Sequence, residues 1–260
     1  MSPSDTQRQV KIAPSVMCAD LLALGREVDE LVELGADYLH LDMMDGHYVP
    51  NLTLGTDLVR QLGTRYSAAL DIHLMVDEPD RWAPVFTEAA LAGRRGSNPG
   101  RSAASDPTGS GDYAGDAAGP SPPVITIHPE TTWHPARTLA GIAEHGGVPA
   151  IAVDPAQRPE QFRNLLELAR LVLVMTVNPG YAGQKLVPWT LESVEWLAAA
   201  RDRLGVDYEI EVDGNVSWEN IPRMLSAGAD VLVAGTSSLF DPSMARHDAW
   251  RQLRTMTART

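Results

Sequence analysis

Eight short runs of apolar and β-branched residues, each followed by a segment of helical spacing, constrain this chain more than any other feature. The runs cover 10–16, 38–43, 68–75, 124–128, 149–153, 171–177, 208–212 and 231–234. After the first, Asp20 offers a helix N-cap, and Leu21, Leu24, Val28, Leu31, Val32 and Leu34 repeat at helical spacing until Gly35. Further helical segments are read at 58–62, 79–91, 135–144, 159–168, 190–204 and 218–227, with a last one after the final strand. Strands that alternate with helices run parallel, because each helix returns the chain to the end from which the last strand began. Eight such units in 260 residues fit a (β/α)8 TIM barrel spanning residues 10–258 as one domain. An open doubly wound sheet is the rival, but no Gly-x-Gly-x-x-Gly follows the first run.

Residues 93–123 break the pattern. They are Gly, Ser, Pro, Ala, Arg and Asp with almost no large apolar side chain. Such a segment cannot bury enough surface to offset its ordering entropy, so it reads as a disordered low-complexity insertion between helix 3 and strand 4. Helix-to-strand connections lie at the bottom of a barrel, away from the chemistry. A linker between two domains is the alternative, but neither flank closes a domain alone.

A formal charge of −13 argues against a nucleic-acid partner, since phosphate-backbone affinity needs clustered Lys and Arg. It does not oppose a small phosphorylated ligand, which needs only a local anion site. The single cysteine, Cys18, excludes an internal disulfide framework and points to a reducing compartment. Residues 1–9 are polar, unlike a signal peptide, and no stretch approaches the ~20 apolar residues of a membrane span, so a cytoplasmic location is expected. The tryptophans Trp82, Trp133, Trp189, Trp196, Trp218 and Trp250 read as helix-packing residues.

Polar residues gather at the C-terminal ends of the strands: Ser15, then His40 and Asp42, then His73, then Asp213. Strand residues two apart share a face, so His40 and Asp42 point together into the barrel. Any one of these groups alone is ordinarily structural. A lone histidine is usually hydrogen-bonded, and a lone aspartate caps a helix. Two histidines and two carboxylates at corresponding strand ends favour one divalent metal ion, Zn, Fe, Mn or Co. A second set faces an anion: Gly180, Tyr181, Ala182 and Gly183 after strand six, Gly214 and Asn215 after strand seven, and Gly235 and Thr236 after strand eight. Glycines let backbone N–H groups approach a phosphate, and helix N-termini favour negative charge. One such loop would read as a tight turn; three adjacent loops match the usual phosphate site of this architecture.

The segments "IAPSVMCADL", "HLDMMDGHYVPNLTLG", "DIHLMV", "VMTVNPGYAGQK", "EIEVDGN" and "VAGTSSLF" resemble the ribulose-phosphate 3-epimerase family, in order from Ile12 to Phe240 apart from the insertion. The resemblance implies metal ligands at His40, Asp42, His73 and Asp213, with Asp42 and Asp213 as the two acid/base catalysts. It implies substrate contacts from Ser15 and His73, and a site lined by Met44, Met75 and Met175, which read without it as core fillers. It implies phosphate binding by Gly180 to Gly183, Gly214, Asn215, Gly235 and Thr236, and a homo-oligomer. The chemistry agrees: inversion beside a carbonyl needs an acid/base group on each face of a planar intermediate, and a cation to stabilise its charge.

Several positions depart from the common pattern of that family, which has Ser-Ala-Asp at Cys18-Ala19-Asp20, Gly-Phe-Gly-Gly at Gly180 to Gly183, Asp-Gly-Gly at Asp213-Gly214-Asn215 and Gly-Ser at Gly235-Thr236. "VMCADLL", "HPET", "VMTV", "YEIEVDG" and "GTSSLF" resemble instead the allulose-6-phosphate 3-epimerase branch. The expected activity is therefore 3-epimerisation of D-ribulose 5-phosphate or of D-allulose 6-phosphate, and the substrate stays open between them. A metal-free decarboxylase barrel would carry a Lys where this chain has Met43-Met44, and a metal-dependent hydrolase would carry His-x-His in the first strand. A non-catalytic phosphosugar-binding barrel is the alternative from another class; it should have lost one of the four site groups.

Overall fold

A computed structural model describes residues 8–92 and 121–258. Eight strands follow one another: β1 Lys11–Pro14, β2 Tyr38–Met44, β3 Ala69–Met75, β4 Val124–Ile127, β5 Val148–Val153, β6 Leu171–Met175, β7 Glu209–Asp213 and β8 Val231–Ala234. Seven α-helices alternate with them: α1 Leu24–Glu33, α2 Thr56–Arg65, α3 Pro79–Ala92, α4 Pro135–Glu144, α5 Thr190–Leu204, α6 Ile221–Ala227 and α7 Arg246–Thr257. The crossover between β5 and β6 is a 3₁₀ helix, Pro159–Leu165, shorter than the helix expected over 159–168. The helix expected over 218–227 begins only at Ile221, because Pro222 lacks an N–H and fits a first turn, while Ser217 O takes the N–H groups of Asn220 and Ile221. Except for residues 121–123, the proposed insertion at 93–123 lies outside the described residues.

All ladders are parallel, in the order β1-β8-β7-β6-β5-β4-β3-β2. The ring closes between β1 and β2 through a parallel bridge, Ser15 to His40. Asp37 reinforces that seam: its backbone N–H donates to Ile12 O at 3.1 Å, and its carboxylate accepts from Ile12 N at 2.8 Å. Among the described residues, no helix is long and apolar enough to cross a membrane.

Strand periodicity sorts side chains into two environments. Leu39, Leu41 and Met43, Leu70, Ile72 and Leu74, and Ile210 and Val212 face outward into one large core shared with the helices. Their neighbours in sequence therefore face the barrel axis. Inward residues include Tyr38, His40, Asp42 and Met44 on β2, Asp71, His73 and Met75 on β3, and Glu209, Glu211 and Asp213 on β7. Register aligns His40 with Asp71, Asp42 with His73, Met44 with Met75, and Met175 with Asp213. Two tryptophans depart from the packing role expected of them. Trp133 is 94% exposed and Trp189 is 59% exposed, the latter held by its Nε1 donating to Pro155 O at 2.8 Å.

Candidate active site

The four groups expected to hold a metal converge. His40, Asp42, His73 and Asp213 each offer a ligand atom, and these atoms all lie within 4.8 Å of one another. His73 Nδ1 is 3.0 Å from Asp42 Oδ1. His40 Nε2 is 3.3 Å from Asp42 Oδ1 and 3.9 Å from Asp213 Oδ2. The Ser15 hydroxyl donates to Asp42 Oδ2 at 3.4 Å, so the β1–β2 closure also brings Ser15 to the site. Thr53, on the loop after β2, donates to the carbonyl of Asp42 and accepts from Met44 N at 2.9 Å, which fixes the strand end. Met44 and Met75 pack with Val49, Met17 and Tyr48 at the mouth, and Met175 lies in the barrel interior beside Asp213 in register.

Beneath these groups lie two buried acids, Asp71 and Glu211. Asp71 bonds His40 Nδ1, while Asp71 Oδ1 and both Glu211 oxygens lack a hydrogen-bond partner among the described residues. Burial, and then the charge of Asp71, push the Glu211 carboxyl well above its usual range. Asp42 and Asp213 are driven apart. Burial opposes the charge of Asp42, but His40 and His73 outweigh it and hold that carboxyl well below the usual range. Burial, and then the charge of Asp42, push Asp213 up to about 7. For His40, burial is again opposed, here by Asp71 and Asp42, and its pKa rises well above the ordinary imidazole value. The surrounding carboxylates thus favour positive charge at this point of the barrel axis. A divalent ion bound by two imidazole nitrogens and two carboxylate oxygens answers the same electrostatic need as a proton on His40, so the donor set and its charge fit such an ion.

The three glycine-bearing loops are tied into one wall by Asn215. Its Oδ1 accepts from Leu186 N at 3.3 Å and from Asn220 Nδ2 at 2.8 Å, and its Nδ2 donates to Ser237 Oγ at 3.3 Å. Gly214 cannot be replaced without movement. It sits at φ 113°, and a Cβ there would lie 2.5 Å from Val177 Cγ2. Asn215 follows at φ 48°. The Tyr181 hydroxyl donates to Pro50 O at 3.4 Å, and Asn51 Nδ2 donates to Gly180 O at 3.3 Å, so the loop after β6 meets the loop after β2. Tyr181 thereby directs its side chain at the neighbouring loop. After β8, Gly235 and Thr236 enter turns, with Ser238 N and Phe240 N donating to Gly235 O, and α7 starts only at Arg246. Gly235 and Thr236 therefore lie in a turn region rather than at the start of that helix.

A further polar group went unassigned in the sequence. His128, at the end of β4, meets His73, with 2.8 Å between the two Nε2 atoms. Its Nδ1 faces Asp154 Oδ1 at 3.2 Å, Glu130 Oε1 at 3.4 Å and the Tyr48 hydroxyl at 2.9 Å. Asp71 and Glu211 could have been found by their spacing of two from His73 and Asp213. His128 carried only its place at a strand end.

Residues 11–92 and 112–240 match the model of the ribulose-phosphate 3 epimerase family. The ribulose-phosphate 3-epimerase of Escherichia coli (strain K12) is 36% identical over 235 residues, covering 90% of each chain. That of Bacillus subtilis (strain 168) is 34% identical over 229 residues, 88% of this chain and 91% of the relative. Among solved structures, a mutant tryptophan synthase alpha-subunit from Pyrococcus furiosus shares the fold, with a TM-score of 0.60 at 12% identity over 96% of this chain and 98% of that one. The chain, an isomerase built as a (β/α)8 barrel, belongs to the ribulose-phosphate 3-epimerase family.

Proposed function

We propose that this protein inverts C3 of D-ribulose 5-phosphate to give D-xylulose 5-phosphate, with Asp42 and Asp213 as the acid/base pair. The observation that carries the reading is the approach of these two carboxylates, from β2 and β7, at the C-terminal mouth of the barrel beside His40 and His73. One carboxylate takes the C3 proton and the electron pair moves into an enediolate. The other delivers a proton to the opposite face of the planar carbon. One aspartate then carries an extra proton and its partner one fewer, so exchange with solvent resets the pair. His40, Asp42, His73 and Asp213 would hold a divalent ion, which when bound would supply electrostatic stabilisation for charge developing on the substrate oxygens. Ser15 orients Asp42 and lies within reach of the sugar. Met44, Met75 and Met175 keep water from the reacting face, and the loops carrying Gly180 to Gly183, Gly214, Asn215, Gly235 and Thr236 hold the phosphate.

A second reading takes D-allulose 6-phosphate to D-fructose 6-phosphate by the same steps. The likeness of "VMCADLL", "YEIEVDG" and "GTSSLF" to that branch favours it. The kcat/KM values of metal-loaded protein on the two sugars separate them: a higher value on ribulose 5-phosphate supports the first reading, and a higher value on allulose 6-phosphate replaces it with the second. Turnover of neither sugar by folded, metal-loaded protein would leave the phosphosugar-binding reading.

A further inference from the structure

Of the two histidines in the four-residue cluster, His40 turns its second nitrogen to a carboxylate, Asp71, whereas His73 turns its second nitrogen to another histidine. The 2.8 Å contact between His73 Nε2 and His128 Nε2 is consistent only with one proton between them: one nitrogen donates and the other accepts. His73 Nδ1 faces Asp42 at 3.0 Å, so Nδ1 is the atom His73 offers to an ion in the cluster. A neutral imidazole that gives its Nδ1 lone pair carries its proton on Nε2. His128 Nε2 must then accept, which places the proton of His128 on its Nδ1. There its shortest contact is the Tyr48 hydroxyl oxygen at 2.9 Å, with Asp154 Oδ1 at 3.2 Å and Glu130 Oε1 at 3.4 Å beside it. The Tyr48 hydroxyl, 2.8 Å from Glu130 Oε1 and 2.7 Å from Asp154 Oδ2, binds the acids to the loop after β2. Both histidine rings are fully buried, so bulk water cannot substitute for either partner.

We infer that His128 is a positioning residue that holds His73 in the tautomer and orientation needed to bind a divalent ion through Nδ1, and that Tyr48, itself bonded to Asp154 and Glu130, holds His128 in turn. The inference rests on the proposed metal site of the previous subsection. Partners of metal-bound histidines commonly influence metal affinity about 10–100-fold, although they touch neither the ion nor the substrate.

Cobalt(II) titration of the metal-stripped full chain, followed by visible absorption, tests this without reference to turnover. Wild type, His128→Leu, His128→Gln, Asp154→Asn and, as the site control, His40→Leu would be compared, with the melting temperature of each stripped protein. Gln can place an oxygen acceptor near the position of Nε2; Leu cannot. The expected result is a Co(II) Kd raised about 10–100-fold in His128→Leu, largely recovered in His128→Gln, and raised by a smaller factor in Asp154→Asn. Should His128→Leu fail to fold, the Gln and Asp154→Asn pair decides: near-wild-type affinity in the first with weakened affinity in the second supports the relay. Wild-type affinity in folded His128→Leu, or in Asp154→Asn when that variant is left to decide, would overturn the inference while leaving the metal site standing. Absence of Co(II) binding by wild type, or undiminished binding in His40→Leu, would instead overturn the metal site itself.

Discussion

Asp42 and Asp213 bring carboxylate oxygens within 4.8 Å of each other although β2 and β7 stand three strands apart around the barrel. That approach depends on closure. An open sheet of the same strands would leave β2 and β7 far apart, and the Ser15–His40 bridge is what joins the seam. The isosteric changes Asp42→Asn and Asp213→Asn are each expected to lower kcat about 10²–10⁴-fold, because each removes one of the two proton-transfer groups. Circular dichroism should show folded protein in both cases. Retention of more than about a tenth of wild-type kcat by either variant would exclude that residue from the acid/base pair.

Asn215 offers a different outcome. Its side chain joins the loops after β6, β7 and β8 through Leu186 N and Ser237 Oγ. Asn215→Ala unties them and leaves the carboxylates in place. The expected effect is a raised KM for the sugar phosphate with a much smaller change in kcat, read from steady-state kinetics. An equal fall in kcat with KM unchanged would show that these loops act on the chemical step rather than on binding.

Gly63 tests the scaffold apart from the site. A Cβ on this α2 residue would lie 2.3 Å from the backbone oxygen of Ala90 on α3, where only backbone movement can relieve the clash. Gly63→Ala is expected to destabilise the fold by about 1–3 kcal/mol in urea denaturation. The value of kcat/KM for the folded fraction should not change, since this helix contact lies on the outer layer.

Tyr208 is one of four phenols, with Tyr38, Tyr48 and Tyr66, whose raised pKa ties stability to alkaline pH. Burial pushes its phenol up to about 12, Arg201 acting in the other direction, and its hydroxyl donates to Leu197 O at 2.8 Å. The folded pKa stands above the unfolded value near 10, so the folded state binds this proton more tightly. Its contribution is complete below pH 10, amounts to roughly 2–3 kcal/mol, and is lost as pH rises from about 10 towards 12. Denaturant midpoints across that window should fall in wild type and fall less in Tyr208→Phe. Identical pH dependence in both would assign the alkaline loss to other groups.

The barrel and its four convergent groups were legible because both are periodic. The alternation of runs and helices fixed the strand count, and a spacing of two put His40 with Asp42 on one face. The partners of these groups were harder to read. Asp71 under His40 and His128 against His73 depend on which residues face each other across neighbouring strands, a register that one strand's own pattern does not contain. The 3₁₀ crossover at Pro159–Leu165 was likewise hidden, since a proline start and apolar spacing serve either kind of helix. Trp133 shows the limit of composition: at 94% exposure it is an aromatic residue in no core.

Isotope exchange at the reacting carbon distinguishes proton transfer through the two carboxylates from other routes. Metal-loaded protein would be given D-ribulose 5-phosphate in heavy water, and the recovered ketose phosphates examined by NMR at C3. One deuterium is expected at C3 of the xylulose 5-phosphate formed, with its formation slowed about 10²–10⁴-fold in Asp42→Asn and no exchange in chelator-stripped wild type. Epimerised product with its original hydrogen still at C3 would contradict a route in which one carboxylate removes that proton and the other supplies a new one from solvent.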